Sequence, residues 1–212
     1  MNILKPQRIN QTTLAKLDDL LDEIKNNDRI KNSIIENMTY EDIEIYDVDF
    51  ETIKMDNVSI SNSSLEKNSF IDIQFNNCNF SNTSFENCTF IRCEFKNCKV
   101  TGCNFAESRL YNVCFKETNA NYINLSMASI ENIIFDNTGL RNSCFQENKL
   151  KNIYFEQADL TQAQFFKTSL KNIDLSSSTI EGIAVSIEDI RGATINDLQA
   201  LDLLYLIGVK VK

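Results

Sequence analysis

The sequence predicts an all-β solenoid, a chain that turns in the same sense at short intervals and stacks its coils by strand-type hydrogen bonds. Three observations carry this expectation. Every fifth residue from Ile30 to Val185 is apolar, and of 14 phenylalanines only Phe166 falls outside that register. A second track two residues earlier holds small or β-branched residues, among them Ile43, Val48, Val58, Ser63, Thr83, Val113, Ala128 and Ala163, with Cys78, Cys88, Cys93, Cys98 and Cys103. The residue two after each apolar centre is often Asn, as at Asn57, Asn77, Asn97, Asn137 and Asn172.

Positions two apart on an extended chain share a face, so each unit reads in, out, in, out, out. The consecutive outward pair marks a corner. Asn suits that corner because it tolerates φ > 0 and hydrogen-bonds its own backbone. A helix is excluded, since steps of five would spread the phenylalanines around its surface.

Three segments follow in chain order. Residues 1–29 form an N-terminal cap: Leu14, Leu17, Leu21 and Ile24 share one helical face over 12–26, with Thr12 or Thr13 as N-cap. Such a helix would cover the open strand edge of the first coil. Residues 30–190 are the solenoid. Residues 191–212 are a closing segment, in which "NDLQALDLLYLIG" starts on the cap residue Asn196 and stops at Gly208. Its apolar residues cover more than one helical face. One face closes the rod, and the surplus, Leu198, Leu201, Leu204, Tyr205 and Ile207, predicts a tail-to-tail homodimer interface.

Composition narrows the function. Thirty acids against 21 bases give a net charge of −9, which argues against direct nucleic-acid binding by counterion release. No run of 18 apolar residues and no secretion signal are present, so the expectation is a cytoplasmic protein with reduced thiols, no membrane contact and no cofactor. The chain has no histidine and no phosphate-cradling loop, and its carboxylates sit on outward, solvated positions, so it does not read as an enzyme.

The unit of a small residue, a central Leu or Phe and two variable residues resembles that of pentapeptide repeat proteins. That resemblance implies a right-handed quadrilateral β-helix with four units per coil, here about eight coils and about 40 Å of rod. The ending "IRGATINDLQALDLLYLIGVKV", with Gly192, Ile195, Gln199, Leu203, Leu204, Gly208 and Val209, resembles the closing segment of the quinolone-resistance (Qnr) and immunity-type members. Those are dimers that bind DNA gyrase and topoisomerase IV and imitate DNA. The function implied is modulation of these enzymes, with resistance to quinolones or topoisomerase toxins. A repeat scaffold for an unrelated protein partner is the alternative.

With 20 residues per coil, residues 20 apart share a face. The face centred on Ile45, Leu65, Phe85 and Phe105 carries Glu44, Asp47, Glu66, Glu86, Glu107 and Glu147 against Lys67 and Lys167. The face centred on Phe75, Phe95 and Phe115 carries Glu36, Asp56, Glu94, Glu117, Asp136, Glu156 and Asp174 against Lys54, Lys96 and Lys116. A third, centred on Phe50, Leu110 and Leu150, is basic, with Arg92, Arg109, Lys149, Lys151 and Lys171. The acidic faces are the expected partner surface, with Tyr111 and Phe166 as aromatic contacts. Cys88, Cys93, Cys98 and Cys103 would enter one coil, one per side. A Cys₄ zinc site has that donor set, yet the same track elsewhere holds Ala, Ser, Thr and Val, so the position selects size and no metal is expected. Cys114 and Cys144 are outward and are the expected reactive thiols.

Overall fold

A computed structural model describes residues 4–6, 15–16 and 18–209. Burial follows the five-residue unit. The centre and the residue two before it are buried, the residues flanking the centre are half-buried, and the next is exposed at a corner, as from Cys78 to Asn82 and on through Asn87. Non-glycine residues at that corner, from Asn32 to Asn172, have φ between 48° and 64°. This is the left-handed region in which Asn is favoured among residues with a Cβ. Gly102 takes one such corner with φ 68°.

The coil repeats every 20 residues, which with a unit of five makes four sides. Strands β2 (Arg29–Glu36), β4 (Asp49–Asp56), β6 (Ser69–Asn76), β7 (Thr89–Lys96), β8 (Arg109–Lys116), β9 (Ser129–Asp136) and β10 (Lys149–Glu156) stack in parallel. Ile30 lies over Phe50, then Phe70, Phe90, Leu110, Ile130 and Leu150. Each of these strands bends around one corner and so supplies two sides. The other two sides join through β3 (Thr39–Glu41), β5 (Ser59–Ser61) and single bridges, which continue to Asp159↔Thr179 and Gln164↔Ala184, while a lone bridge, Asp174↔Thr194, resumes pairing above β10 on a ladder side. The continuous ladder therefore spans six steps, fewer than the eight coils expected, and isolated bridges carry the rest of the winding.

Two corner types explain where the ladder stops. Corners after Phe80 and Phe85 close by a turn, with the Thr83 N–H on Phe80 O at 3.0 Å and the Cys88 N–H on Phe85 O at 3.2 Å. Corners after Phe75, Phe95, Phe115, Phe135 and Phe155 carry no such bond, whereas those after Leu170 and Leu175 do, at 3.0 and 2.9 Å. The last coils are thus tight on all four sides, and their outline no longer matches the strands below.

Phenylalanines fill the axis, stacked between coils and edge-to-face within them. Phe75 and Phe95 lie 4.4 Å apart at 15°, and Phe85 meets Phe90 at 5.6 Å and 74°. Both geometries suit the ring quadrupole.

The N-terminal helix differs from expectation. It is α1 (Leu20–Asn26), capped by Asp19, whose carboxylate accepts the N–H groups of Leu21 at 2.8 Å and Asp22 at 3.2 Å. Ala15–Lys16 is a strand, β1, on the edge of β2 and not part of a helix over 12–26. The unpaired β2 edge offers backbone partners there, and the carboxylate at Asp19 sets the helix start. Leu14, Leu17, Thr12 and Thr13 lie outside the described residues. Leu20 is buried, Leu21 and Ile24 pack on the core, and the Tyr40 hydroxyl accepts the Leu20 N–H at 3.1 Å. The helix is thereby fixed to the first coil.

At the other end come α2 (Ile187–Ile190), α3 (Asp197–Leu203) and a 3₁₀ turn (Leu204–Ile207), stopped by Gly208 at φ 73°. Asn196 and Gln199 form a capping box. The buried Gln199 amide also donates to Leu175 O at 2.8 Å and Ser178 O at 2.6 Å, so it satisfies carbonyls that no further coil covers. No helix among the described residues is long and apolar enough to cross a membrane.

Candidate protein-binding faces

On the Phe85 face, Glu44 bridges to Ser64 and Ser64 to Ser84, so Glu44, Glu66 and Glu86 stand in three successive coils. The Ser84 hydroxyl donates to Glu66 at 2.8 Å and the Asn104 amide to Glu86 at 2.9 Å, which orients both carboxylates along the rod. Asp47, Glu107 and Glu147 occupy exposed corners of the same face. Glu147 is paired with Lys167 at 2.8 Å. Among the described residues Glu44, Asp47, Glu66, Glu86 and Glu107 have no ion pair, with Lys67 the one cation between them on that corner.

The Phe95 face is more neutral than its sequence count. Glu36 pairs with Lys16 at 2.6 Å, Asp56 with Lys54 at 3.1 Å and Asp136 with Lys116 at 2.7 Å, leaving Glu94, Glu117, Glu156 and Asp174 without an ion pair among the described residues. On the third face Arg92 is not free to add to the basic surface. Its guanidinium holds Asp72 through two bonds of 2.6 and 2.7 Å, and Asp72 is 3% exposed. Arg109, Lys149 and Lys171 remain outward without an ion pair among the described residues, while Lys151 holds Glu131 at 2.6 Å.

These pairs were missed by sorting charges one face at a time. The signal was present: Asp72 and Arg92, Lys116 and Asp136, Glu131 and Lys151, and Glu147 and Lys167 are each 20 residues apart and opposite in sign.

The two aromatic candidates fall in different places. Tyr111 is half-buried on the basic face, aligned between Ile91 and Glu131. Phe166 is exposed beside Tyr205 and lines an apolar pocket of about 440 Å³ with Ile183, Ala184 and Val185. The Tyr205 hydroxyl donates to Ile183 O. Leu198 and Ile207 are 79% and 65% exposed, and Leu201 and Tyr205 are also exposed, whereas Leu204 is half-buried. Leu203 and Leu206 pack on the core.

The thiols are backbone donors. Cys88 reaches Leu65 O at 2.9 Å, Cys93 Phe70 O at 3.3 Å, Cys98 Phe75 O at 3.4 Å and Cys103 Phe80 O at 2.8 Å, one carbonyl on each side of the coil. No group of three or more metal-ligating side chains is arranged around a common point among the described residues. Cys114 departs from expectation: it is half-buried, and burial pushes its thiol up to about 11, so it is a poor nucleophile.

A family model described as "Pentapeptide repeat region" matches residues 68–141 and 88–165. No curated protein matches the chain. Among solved structures, trypsin-treated QnrB1, a plasmid-mediated fluoroquinolone resistance protein, is similar at 19% identity and TM-score 0.40, over 87% of this chain and 90% of that one. HetL, a pentapeptide repeat protein involved in heterocyst differentiation regulation from the cyanobacterium Nostoc sp. strain PCC 7120, is similar at 12% identity and TM-score 0.37, over 86% and 98%. A four-unit coil with its turn at every fifth residue is what this family's repeat encodes, and by that repeat and its match residues 68–165 of the chain are a pentapeptide repeat region.

Proposed function

We propose that the protein binds a bacterial type II topoisomerase by imitating DNA, and so modulates it and counters quinolones or topoisomerase toxins. The observation that carries this reading is the series Glu44, Glu66 and Glu86 with Asp47 and Glu107, without ion pairs among the described residues and repeated coil by coil on the Phe85 face. Coils about 4.8 Å apart place a carboxylate at near-phosphate intervals, somewhat coarser than the roughly 3.4 Å per strand of DNA. A groove lined with Lys and Arg that accepts duplex DNA would attract such an array and steer its approach. The resemblance of the closing segment to the quinolone-resistance and immunity-type members directs the choice of enzyme. Glu36, Asp56, Glu94, Asp136, Glu156 and Glu147 act as a secondary, partly neutralised surface.

In the same reading the protein is a homodimer joined through Leu198, Leu201, Leu204, Tyr205 and Ile207, with Phe166 at the margin of that interface. Tail-to-tail joining doubles the length of the acidic rod. Ion pairing of Glu36, Asp56, Asp136 and Glu147 favours a second reading, a repeat scaffold for another protein, since a dedicated phosphate mimic has little use for internal neutralisation.

The test is a supercoiling assay with purified gyrase, with and without ciprofloxacin. Inhibition of supercoiling or relief from the drug is expected. Neither effect, together with no complex in a pull-down, leaves the scaffold reading in its place.

A further inference from the structure

The strand ladder has an internal break. β10 pairs with β9 on one edge, and no backbone hydrogen bond joins its other edge to residues 169–176 of the next coil. In the coils below, central and corner N–H groups bond carbonyls nineteen residues on, as Asn77 does Lys96 O at 2.9 Å. Residues before a centre bond carbonyls twenty-one back, as Asn79 does Val58 O at 2.9 Å. By that pattern the N–H groups of Leu150, Asn152 and Phe155 and the carbonyl of Ile153 face the gap from below. The carbonyls of Ser169, Lys171 and Asp174 and the Asp174 N–H face it from above.

Side chains mark the same break. The corner asparagine ladder runs from Asn112 through Asn132 to Asn152 at 3.1 and 2.9 Å and does not extend to Asn172. Ring spacing along the column widens toward it, from 4.4 Å for Phe75–Phe95 to 5.4 Å for Phe135–Phe155. Leu150 is half-buried, unlike Phe90 and Leu110 below it. The gap holds a pocket of about 280 Å³ lined by Leu150, Ile153, Tyr154, Lys171 and Asp174 among others.

We propose that this gap takes an extended acidic peptide segment from a partner protein by strand addition. Both rims carry N–H groups and carbonyls, N–H groups in excess below and carbonyls above, which a peptide backbone satisfies and a simple anion does not, because an anion would meet carbonyls as well as N–H groups. Alternate side chains of the segment meet Leu150 and Ile153 on the inner side. The others face outward beside Lys149, Lys151 and Lys171, so acidic residues fit there. Asp174 is the acid in the lining, and its carboxylate already accepts the Ser176 N–H at 2.9 Å. The acidic Phe85 face repels the same peptide, which confines it to the basic side. This inference is independent of the topoisomerase reading.

The experiment uses a short fluorescein-labelled peptide alternating valine and glutamate, read by fluorescence anisotropy, with residue-level amide exchange by NMR. Binding is expected to slow exchange at Leu150, Asn152 and Phe155. Lys149→Glu with Lys171→Glu, both exposed changes that leave melting unaltered, should weaken binding by about tenfold or more. A valine–lysine peptide should not bind. No binding, or binding without protection of those three amides, overturns the proposal and leaves the gap to water. Protection of the same amides by rising protein concentration alone assigns it to a second copy and also overturns it.

Discussion

The Cys103 thiol donates to the carbonyl of Phe80, 2.8 Å away in the coil below. Ser108 does the same to Phe85 O at 2.7 Å and Thr138 to Phe115 O at 3.0 Å, so where the inner track holds Cys, Ser or Thr a small donor is added to the small volume that Ala and Val also supply. Burial pushes Cys88, Cys93 and Cys103 up to about 12. A free thiol titrates near 8.5, so the folded value is raised above the unfolded one. The stability linked to these groups is then complete below about pH 8.5 and falls as pH rises toward 12. Melting followed by circular dichroism should be flat from pH 7 to 8.5 and decline above it. Replacing the three with Ser, which keeps the donor, should flatten that decline; an unchanged slope contradicts the account.

Arg92 serves Asp72. Removing the guanidinium by Arg92→Ala takes a bidentate cation from a carboxylate that is 3% exposed, and should cost about 2 to 3 kcal/mol in urea unfolding. The double change Asp72→Asn with Arg92→Asn should recover most of the loss, because Asn132 and Asn152 already stack in that column with amide bonds. Equal loss in both variants would show that the ion pair is not what Arg92 contributes.

Axial packing should be uneven. Phe95→Ala, in the closely stacked middle, is expected to cost about 3 to 5 kcal/mol. Phe155→Ala, beside the ladder break and with a ring neighbour at 5.4 Å, should cost less. Equal losses in denaturant titrations would contradict a weakened upper rod.

Much of this was legible in the sequence because each layer of the argument is local and repeats. The Phe register names the axis, and Asn at the fifth position names a corner that the backbone then takes at positive φ. What escaped depends on relations between coils. The ion pairs need the 20-residue step before Asp72 and Arg92 are seen as neighbours. The ladder break needs the turn type after Leu170 and Leu175, which no single residue announces. The helix start was misplaced because Thr12 and Thr13 are as good cap residues as Asp19, and only the free edge of β2 decides between strand and helix at Ala15–Lys16.

The closing segment predicts an assembly. Light scattering of the wild type should give twice the chain mass, and Leu198→Glu with Leu201→Glu, both on exposed positions, should halve it without lowering the melting temperature. A monomeric wild type, or a double variant that stays dimeric, contradicts the interface assigned to that surface.

The most direct test of the central reading is displacement of labelled duplex DNA from gyrase, followed by fluorescence anisotropy as the protein is titrated in. Displacement by the wild type is predicted, weakening with added salt, and lost in a folded variant carrying Glu44→Lys, Glu66→Lys and Glu86→Lys. A wild type that leaves DNA bound, or a triple variant that displaces it equally well, would contradict the claim that the Phe85 face stands in for DNA.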